Sequence, residues 1–316
     1  MNMTMDAEAP CTLAEESASR LLKMQVRAMR KHLKTARTQD LDGIHDLRVA
    51  SRRLRAVLTE HAALFEKAAL KRFQRRTRRL TNALGKPREL DSLLVLLEKL
   101  RDGARGTMRE AILYVTGWLK AHRDAEADHV AEGVKLVESP KFDKSLMALF
   151  ESLNADNACY IETAASNLDE QFRNLALRFD LWQGSHAEEA LHKVRVQLKK
   201  LRYSCEIYEP LYGAEMKDFL AMLREAQEHL GNWNDCRVLR GYLQQAAEGA
   251  PEKAKKGIPK VLASLDQANG QHLEKFNAQA ATLFAPDRVA DFLASFKSIK
   301  RVCCRKSAKE DTPAEG

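Results

Sequence analysis

The chain has 316 residues, 45% hydrophobic and 30% charged, and its 52 Lys and Arg against 44 Asp and Glu give a formal charge of +8, which favours anionic partners without naming one. Only 8 prolines and 14 glycines interrupt a composition rich in Ala, Leu, Lys, Arg and Glu, so an all-α fold is expected. No run approaches the ~20 apolar residues of a membrane helix, and the opening segment, with Asp6, Glu8, Glu15 and Glu16, lacks the basic start and apolar run of a secretion signal, so a cytoplasmic protein without membrane association is expected.

The first predicted helix covers about residues 12 to 38, and a helical projection gathers Arg20, Lys23, Arg27, Arg30, Lys31 and Lys34 within roughly 120°. The second covers about 42 to 66, with Leu47, Leu54, Val57 and Leu58 as its buried stripe. On its other side His45, Arg48, Arg52 and Arg55 follow one another at spacings of 3, 4 and 3 and fall within roughly 80°, while Arg53 lies about 100° from Arg52. The third covers about 68 to 84, with Leu70, Phe73, Thr77, Leu80 and Leu84 inward and Lys71, Arg72, Arg75, Arg76, Arg78 and Arg79 on the remaining surface. Gly85 is expected to close it as a left-handed cap. Residues 107 to 182 read as helices broken near Ser139-Pro140, with Trp118 and Trp182 assigned to helix contacts. The Gly- and Pro-punctuated run 249 to 259 reads as a loop, and the basic run Lys297 to Lys306 as part of a solvated terminus. None of the six cysteines (Cys11, Cys159, Cys205, Cys236, Cys303, Cys304) has the spacing of a zinc or redox motif, and they read as reduced thiols.

The charge is unevenly placed. Residues 20 to 88 hold 20 Lys or Arg and 5 Asp or Glu, a local balance of +15 that leaves −7 for the rest. An ordinary surface helix alternates signs, whereas like charges stacked at i, i+3 and i+4 cost a few tenths of a kcal/mol per pair unless an anion compensates. The three consecutive stripes therefore point to a polyanion.

The chain also repeats itself. His45-Asp-Leu-Arg48-Val49-Ala-Ser-Arg52-Arg53-Leu54-Arg55 realigns with His192-Lys-Val-Arg195-Val196-Gln-Leu-Lys199-Lys200-Leu201-Arg202 at an offset of 147. Further on, Lys71, Phe73, Arg78, Leu84 and Gly85 match Lys217, Phe219, Arg224, Leu230 and Gly231 at an offset of 146. Lys71 and Arg78 persist as Lys217 and Arg224, but Arg72, Arg75, Arg76 and Arg79 become Asp218, Ala221, Met222 and Glu225. On this filter the repeated bases line a groove between the halves and the unrepeated ones form an outer patch on the N-terminal half.

These paired His-x-x-Arg-Val segments, each followed by a helix ending in Leu-Gly and then an acidic residue, resemble the conserved histidine α-helical domain, CHAD, over about residues 12 to 302. The resemblance implies two antiparallel four-helix bundles, residues 12–150 and 151–302, related by a pseudo-twofold axis with a basic channel between them, and flexible termini at 1–11 and 303–316. It also implies binding of inorganic polyphosphate and, in some bacterial members, a place at polyphosphate granules. The family motif falls on His45, Arg48, Arg52, Arg53 and Arg55, and again on His192, Arg195, Lys199, Lys200 and Arg202. Lysine binds phosphate as a point charge where arginine clamps it bidentately, so Lys199 and Lys200 imply a looser grip in the second half. Lys71, Arg78, Lys217 and Arg224 join the site through the duplication, with Arg27, Lys31, Arg75 and Arg79 as a secondary set.

The residues agree with such a ligand. Polyphosphate needs a track of donors and offers no base to stack on, and the stripes contain no aromatic residue, whereas single-strand grooves interleave rings worth roughly 1–3 kcal/mol per stacked base. Nucleic-acid or nucleoid-associated binding stays open as the second reading, because phosphate contacts alone hold duplex DNA. Each histidine has two roles open to it, a helix-start residue fixed by a neighbour or a phosphate donor, and the two are compatible if one ring nitrogen serves each. No acidic or sulfur partner stands at ligand spacing from either, so no metal is assigned. No phosphate-cradling glycine loop, paired magnesium-binding acids or nucleophile motif occurs, so a binding protein without catalytic residues or cofactor is expected.

Overall fold

The computed structural model describes residues 13–154, 159–285 and 287–295. Twelve named α-helices follow one another among these residues, residues 287–295 are helical after them, and no strand occurs among the described residues. The first four are α1 (Ala14–Lys31), α2 (Leu33–Arg37), α3 (Leu41–Glu60) and α4 (Lys67–Ala83). They are followed by α5 (Gly85–Arg101), α6 (Gly106–Ala125), α7 (Ala127–Glu138) and α8 (Pro140–Glu151). The last four are α9 (Tyr160–Ser185), α10 (Glu188–Tyr212), α11 (Ala214–Glu248) and α12 (Glu252–Leu283). The basic run Lys297 to Lys306, the segments 1–11 and 303–316, and Cys11, Cys303 and Cys304 lie outside the described residues; Cys205 and Cys236 are buried free thiols.

Local chemistry fixes the starts of the helices that matter for the site. Asp40 caps α3 by accepting from the Gly43 amide at 2.7 Å. Gly43 is required there, because a Cβ would come within 2.6 Å of the Thr35 backbone where α2 crosses α3. Glu66 caps α4, its two carboxylate oxygens accepting from the Ala68 and Ala69 amides at 2.8 Å each. Ser139 caps α8 ahead of Pro140 at the first helical position, which is the break expected from the sequence.

Four local expectations are corrected. The first predicted helix is two, since α1 ends at Lys31 and α2 resumes after His32, which places Lys34 on a different helix from the rest of its stripe. The second ends at Glu60, and a short 3₁₀ turn, Ala62–Leu64, takes up its predicted tail. Gly85 is not a left-handed cap: it opens α5, and among the described glycines positive φ belongs to Gly106 and Gly213. The run 249 to 259 is not a loop either, because α12 begins at Glu252 and continues through Pro259. The breakers there serve the helix start, and Ala254, Ile258, Val261 and Leu265 form a buried stripe that continues the helix. At Gly257 a Cβ would meet the Thr107 carbonyl at 1.9 Å, so α12 and α6 touch backbone to backbone.

The interior falls into two apolar clusters. The larger draws on α1, α3, α4 and α7 to α12, and includes Ile44, Leu47, Phe73, Phe142, Phe172, Leu198 and Phe219. The smaller packs α5 and α6 against the C-terminal part of α11 and the N-terminal part of α12, through Leu90, Leu97, Val115, Leu239 and Val261. Both clusters take helices from each half of the chain. At about 1.5–3 kcal/mol for each large apolar side chain withdrawn from water, this burial holds α3 and α10 in fixed relation. Polar contacts add to it: Glu60, at the end of α3, accepts from Ser204 Oγ at 2.6 Å and from the Tyr208 hydroxyl at 3.3 Å, both on α10. Trp182 is buried against Phe179 and Phe276, and Trp118 packs on His122 and Tyr242, so both tryptophans serve helix contacts.

Candidate anion-binding cleft

The segments that realign in the sequence lie on α3 and α10, and these helices bring their bases together. Lys199 of α10 sits among Arg195 of its own helix, Arg52 and Arg48 of α3, and Asp235 of α11. Burial first, and then the three guanidinium groups, pull its amine down to about 6, with Asp235 working against the shift. Arg48 is lowered to about 10 by burial, then by Arg52, Arg88 and Arg195. Arg195 is lowered mainly by burial, with Arg52 and Arg237 adding to the shift and Asp235 opposing it. The Nε atoms of Arg48 and Arg195, which occupy equivalent positions in the two segments, are both buried without a hydrogen-bond partner among the described residues. Cations crowded at low solvent exposure repel one another, a repulsion that Asp235 offsets in part and that a bound anion would relieve.

The two histidines stand at the start of this cluster. Arg88 of α5 donates from Nε to His45 Nδ1 at 2.9 Å, and burial followed by the Arg88 charge keeps the ring below its ordinary pKa. His192 lies in hydrogen-bonding reach of Asn234 and is likewise lowered, by burial and then by Arg195 and Arg237. Arg88 and Asn234 are equivalent at the offset of 146, so each motif histidine is addressed from the position three residues after its Leu-Gly. Among the described residues no group of three or more His, Cys, Asp or Glu could hold a metal ion.

From this cluster the bases continue along α3. Arg55 is lowered by burial and by Arg52 on one side and Arg78 on the other. It opens into a pocket of about 420 Å³ that it lines together with Thr59, Lys71, Gln74, Arg75 and Arg78. The split into repeated groove bases and unrepeated outer bases is therefore not kept, since Arg75, with no counterpart, shares the pocket with Lys71 and Arg78.

The matching bases of the second half are differently placed. Arg202 is ion-paired to Glu206 and donates to Gln227 Oε1 at 2.7 Å, and Arg224 stands 3.9 Å from the same carboxylate. Arg53 also turns to Glu206, at 3.3 Å, so it ties α3 to α10. Lys200 and Lys217 are exposed, as are Arg27, Lys31 and Arg79. The α1 stripe turns toward α8, where Arg30 pairs with Asp143 and Lys23 lies over Phe150. Sequence reading missed Arg88, Asn234 and Arg237; Arg88 and Asn234 stand three residues after their Leu-Gly pairs but differ in type, and Arg237 answers to Asp91, while Asp235, matched by Glu89, enters only as the acidic residue of the motif.

The CHAD domain family model matches residues 20–244. The crystal structure of the CHAD domain from the plant Ricinus communis superposes with a TM-score of 0.65 at 20% identity, covering 94% of this chain and 96% of that one. PptA from Streptomyces chartreusis superposes with a TM-score of 0.62 at 14% identity, covering 85% of this chain and 99% of that one. At these identities the structural likeness speaks to the fold. No curated protein matches the chain.

Proposed function

The chain belongs to the CHAD domain family, and from that premise we propose that it binds inorganic polyphosphate along the α3–α10 cleft, as a binding protein without catalysis of its own. The observation that carries this reading is the crowding of Arg48, Arg52, Arg195 and Lys199, with two buried guanidinium Nε atoms left unpartnered. A chain of singly charged phosphates, free to bend, can present an oxygen to each of these donors in turn. We take residues 12–302 as one domain of two related helical halves meeting at the cleft, eight described helices in the first and a set of longer ones in the second, and granule tethering as the use to which the binding is put.

The surroundings favour phosphate over bases. Tyr203 has the Arg202 guanidinium 4.5 Å from its ring centre, and Trp233 is buried with Arg237 above it. Both rings are thus occupied by arginines instead of forming a stacking platform for nucleobases. No described helix is long and apolar enough to cross a membrane.

A competition titration tests the reading. Labelled long-chain polyphosphate bound at physiological salt should resist displacement by duplex DNA or RNA at equal phosphate concentration, with steep salt dependence throughout. Equal or tighter binding of DNA would replace this reading with nucleic-acid binding on the same bases.

A further inference from the structure

The two halves of the basic track end differently. At the α3 end, Arg55, Lys71, Arg75 and Arg78 line one pocket of about 420 Å³ with Thr59 and Gln74 and no carboxylate. At the corresponding end of α10, the residue aligned with Thr59 is Glu206, which engages Arg202, Arg224 and Arg53, while Ala221 replaces Arg75. One end therefore holds four cations around open space, and at the other a carboxylate draws the arginines inward and offsets part of their charge.

We infer that the Arg55–Arg75–Arg78 pocket is an end-anchoring site for a compact oligophosphate, the terminal phosphates of a polyphosphate chain or free tripolyphosphate, so that the polymer enters the cleft with a defined polarity. A terminal phosphoryl group carries close to two charges near neutrality, where an internal one carries one, and the denser anion is drawn to the denser cation cluster. Arg55 links the pocket to the cleft, since it is in electrostatic reach of Arg52 as well as Arg78. The polarity of entry rests on the polyphosphate reading; the pocket's affinity for a short oligophosphate does not.

Calorimetric titration with tripolyphosphate, with long-chain polyphosphate run in parallel, tests this inference. The native protein is expected to take one tripolyphosphate. Arg75→Ala, on an exposed position, should weaken it about tenfold or more, the loss of one charge-assisted contact, while Lys144→Ala, on an exposed position of α8, changes it little. Glu206→Thr, which recreates the acid-free arrangement in the second half, should raise the stoichiometry toward two. Unchanged tripolyphosphate affinity in Arg75→Ala with long-chain binding intact overturns the pocket and leaves the cleft reading standing. Arg75-dependent tripolyphosphate binding without long-chain binding does the reverse.

Discussion

Arg88 Nε donates to His45 Nδ1 at 2.9 Å, across 43 positions of sequence, and so decides which ring nitrogen is left to act. With Nδ1 accepting, the neutral ring carries its proton on Nε2 and offers a donor. Burial and the Arg88 charge both disfavour the imidazolium. His45 is therefore expected to be a neutral donor at pH 7 in the free protein, and Arg88→Ala should raise its pKa in an NMR titration. An unchanged pKa would mean that Arg88 does not govern the ring.

Lys199 should make polyanion binding pH-dependent. Its amine, held at about 6 by burial and by Arg195, Arg52 and Arg48, with Asp235 opposing, is largely neutral at pH 7.5. In the unfolded chain it titrates near 10.4, so the unfolded state binds more protons between these values and this group's contribution to stability rises with pH across the interval. An arriving polyphosphate restores the proton, so apparent affinity should rise as pH falls toward 6. Calorimetry at pH 7.5 in buffers of different ionisation enthalpy should register proton uptake on binding. Because arginine keeps its charge, Lys199→Arg should reduce that uptake by about one proton; His45 and His192, also held below their ordinary values, account for any remainder.

Away from the cleft, Arg123 of α6 donates from Nε to Asp91 Oδ1 of α5 at 2.8 Å, with the two residues only 7% and 3% exposed. Removing one partner leaves the other charge buried, so Arg123→Met should cost about 3–5 kcal/mol in urea unfolding, and adding Asp91→Leu should recover much of it. A loss below about 1 kcal/mol in the single variant would mean that the pair is solvated in solution.

Glu60 joins α3 to α10 through Ser204 and Tyr208, while Asn167 of α9 donates to the Glu60 carbonyl at 3.0 Å and to the Tyr208 hydroxyl at 2.8 Å. Burial raises the Glu60 pKa despite these hydrogen bonds, so charging this group costs stability as pH rises through its folded value. Glu60→Ala leaves Ser204 Oγ its second bond, to the Lys200 carbonyl at 3.1 Å, but takes the acceptor from the Tyr208 hydroxyl, and should lower stability by about 1–2 kcal/mol, measured by the denaturation midpoint.

Much of this arrangement was legible in the residues. Leu47, Leu54, Val57 and Leu58 mark the inner face of α3, and the repeat of its motif points to α10, whose Arg195 and Lys199 stand beside Arg48 and Arg52. What spacing cannot say is which neighbour a face meets. The α1 stripe reads like that of α3, yet Arg30 turns to Asp143, and Arg202 finds Glu206 one turn along its own helix. Identity between the two copies marks Lys71 and Arg78 but not Arg88 and Asn234, whose equivalence lies in position and not in type. Identity likewise leaves Arg75 in the secondary set, although Arg75 lines the same pocket as Lys71 and Arg78. The Gly249 and Pro251 signals were real but mark the start of α12, whose apolar stripe is satisfied only by tertiary packing.

The central claim, that the α3–α10 bases hold the polymer, is tested most directly by long-chain polyphosphate binding to the Arg52→Glu, Lys199→Glu double variant, with circular dichroism and thermal unfolding in parallel. Reversing two charges in a crowded cationic cluster should abolish binding, weakening it by about a hundredfold or more, while helicity stays unchanged and the melting temperature does not fall. Near-native affinity in a fully folded double variant would contradict the account and move the site away from the cleft.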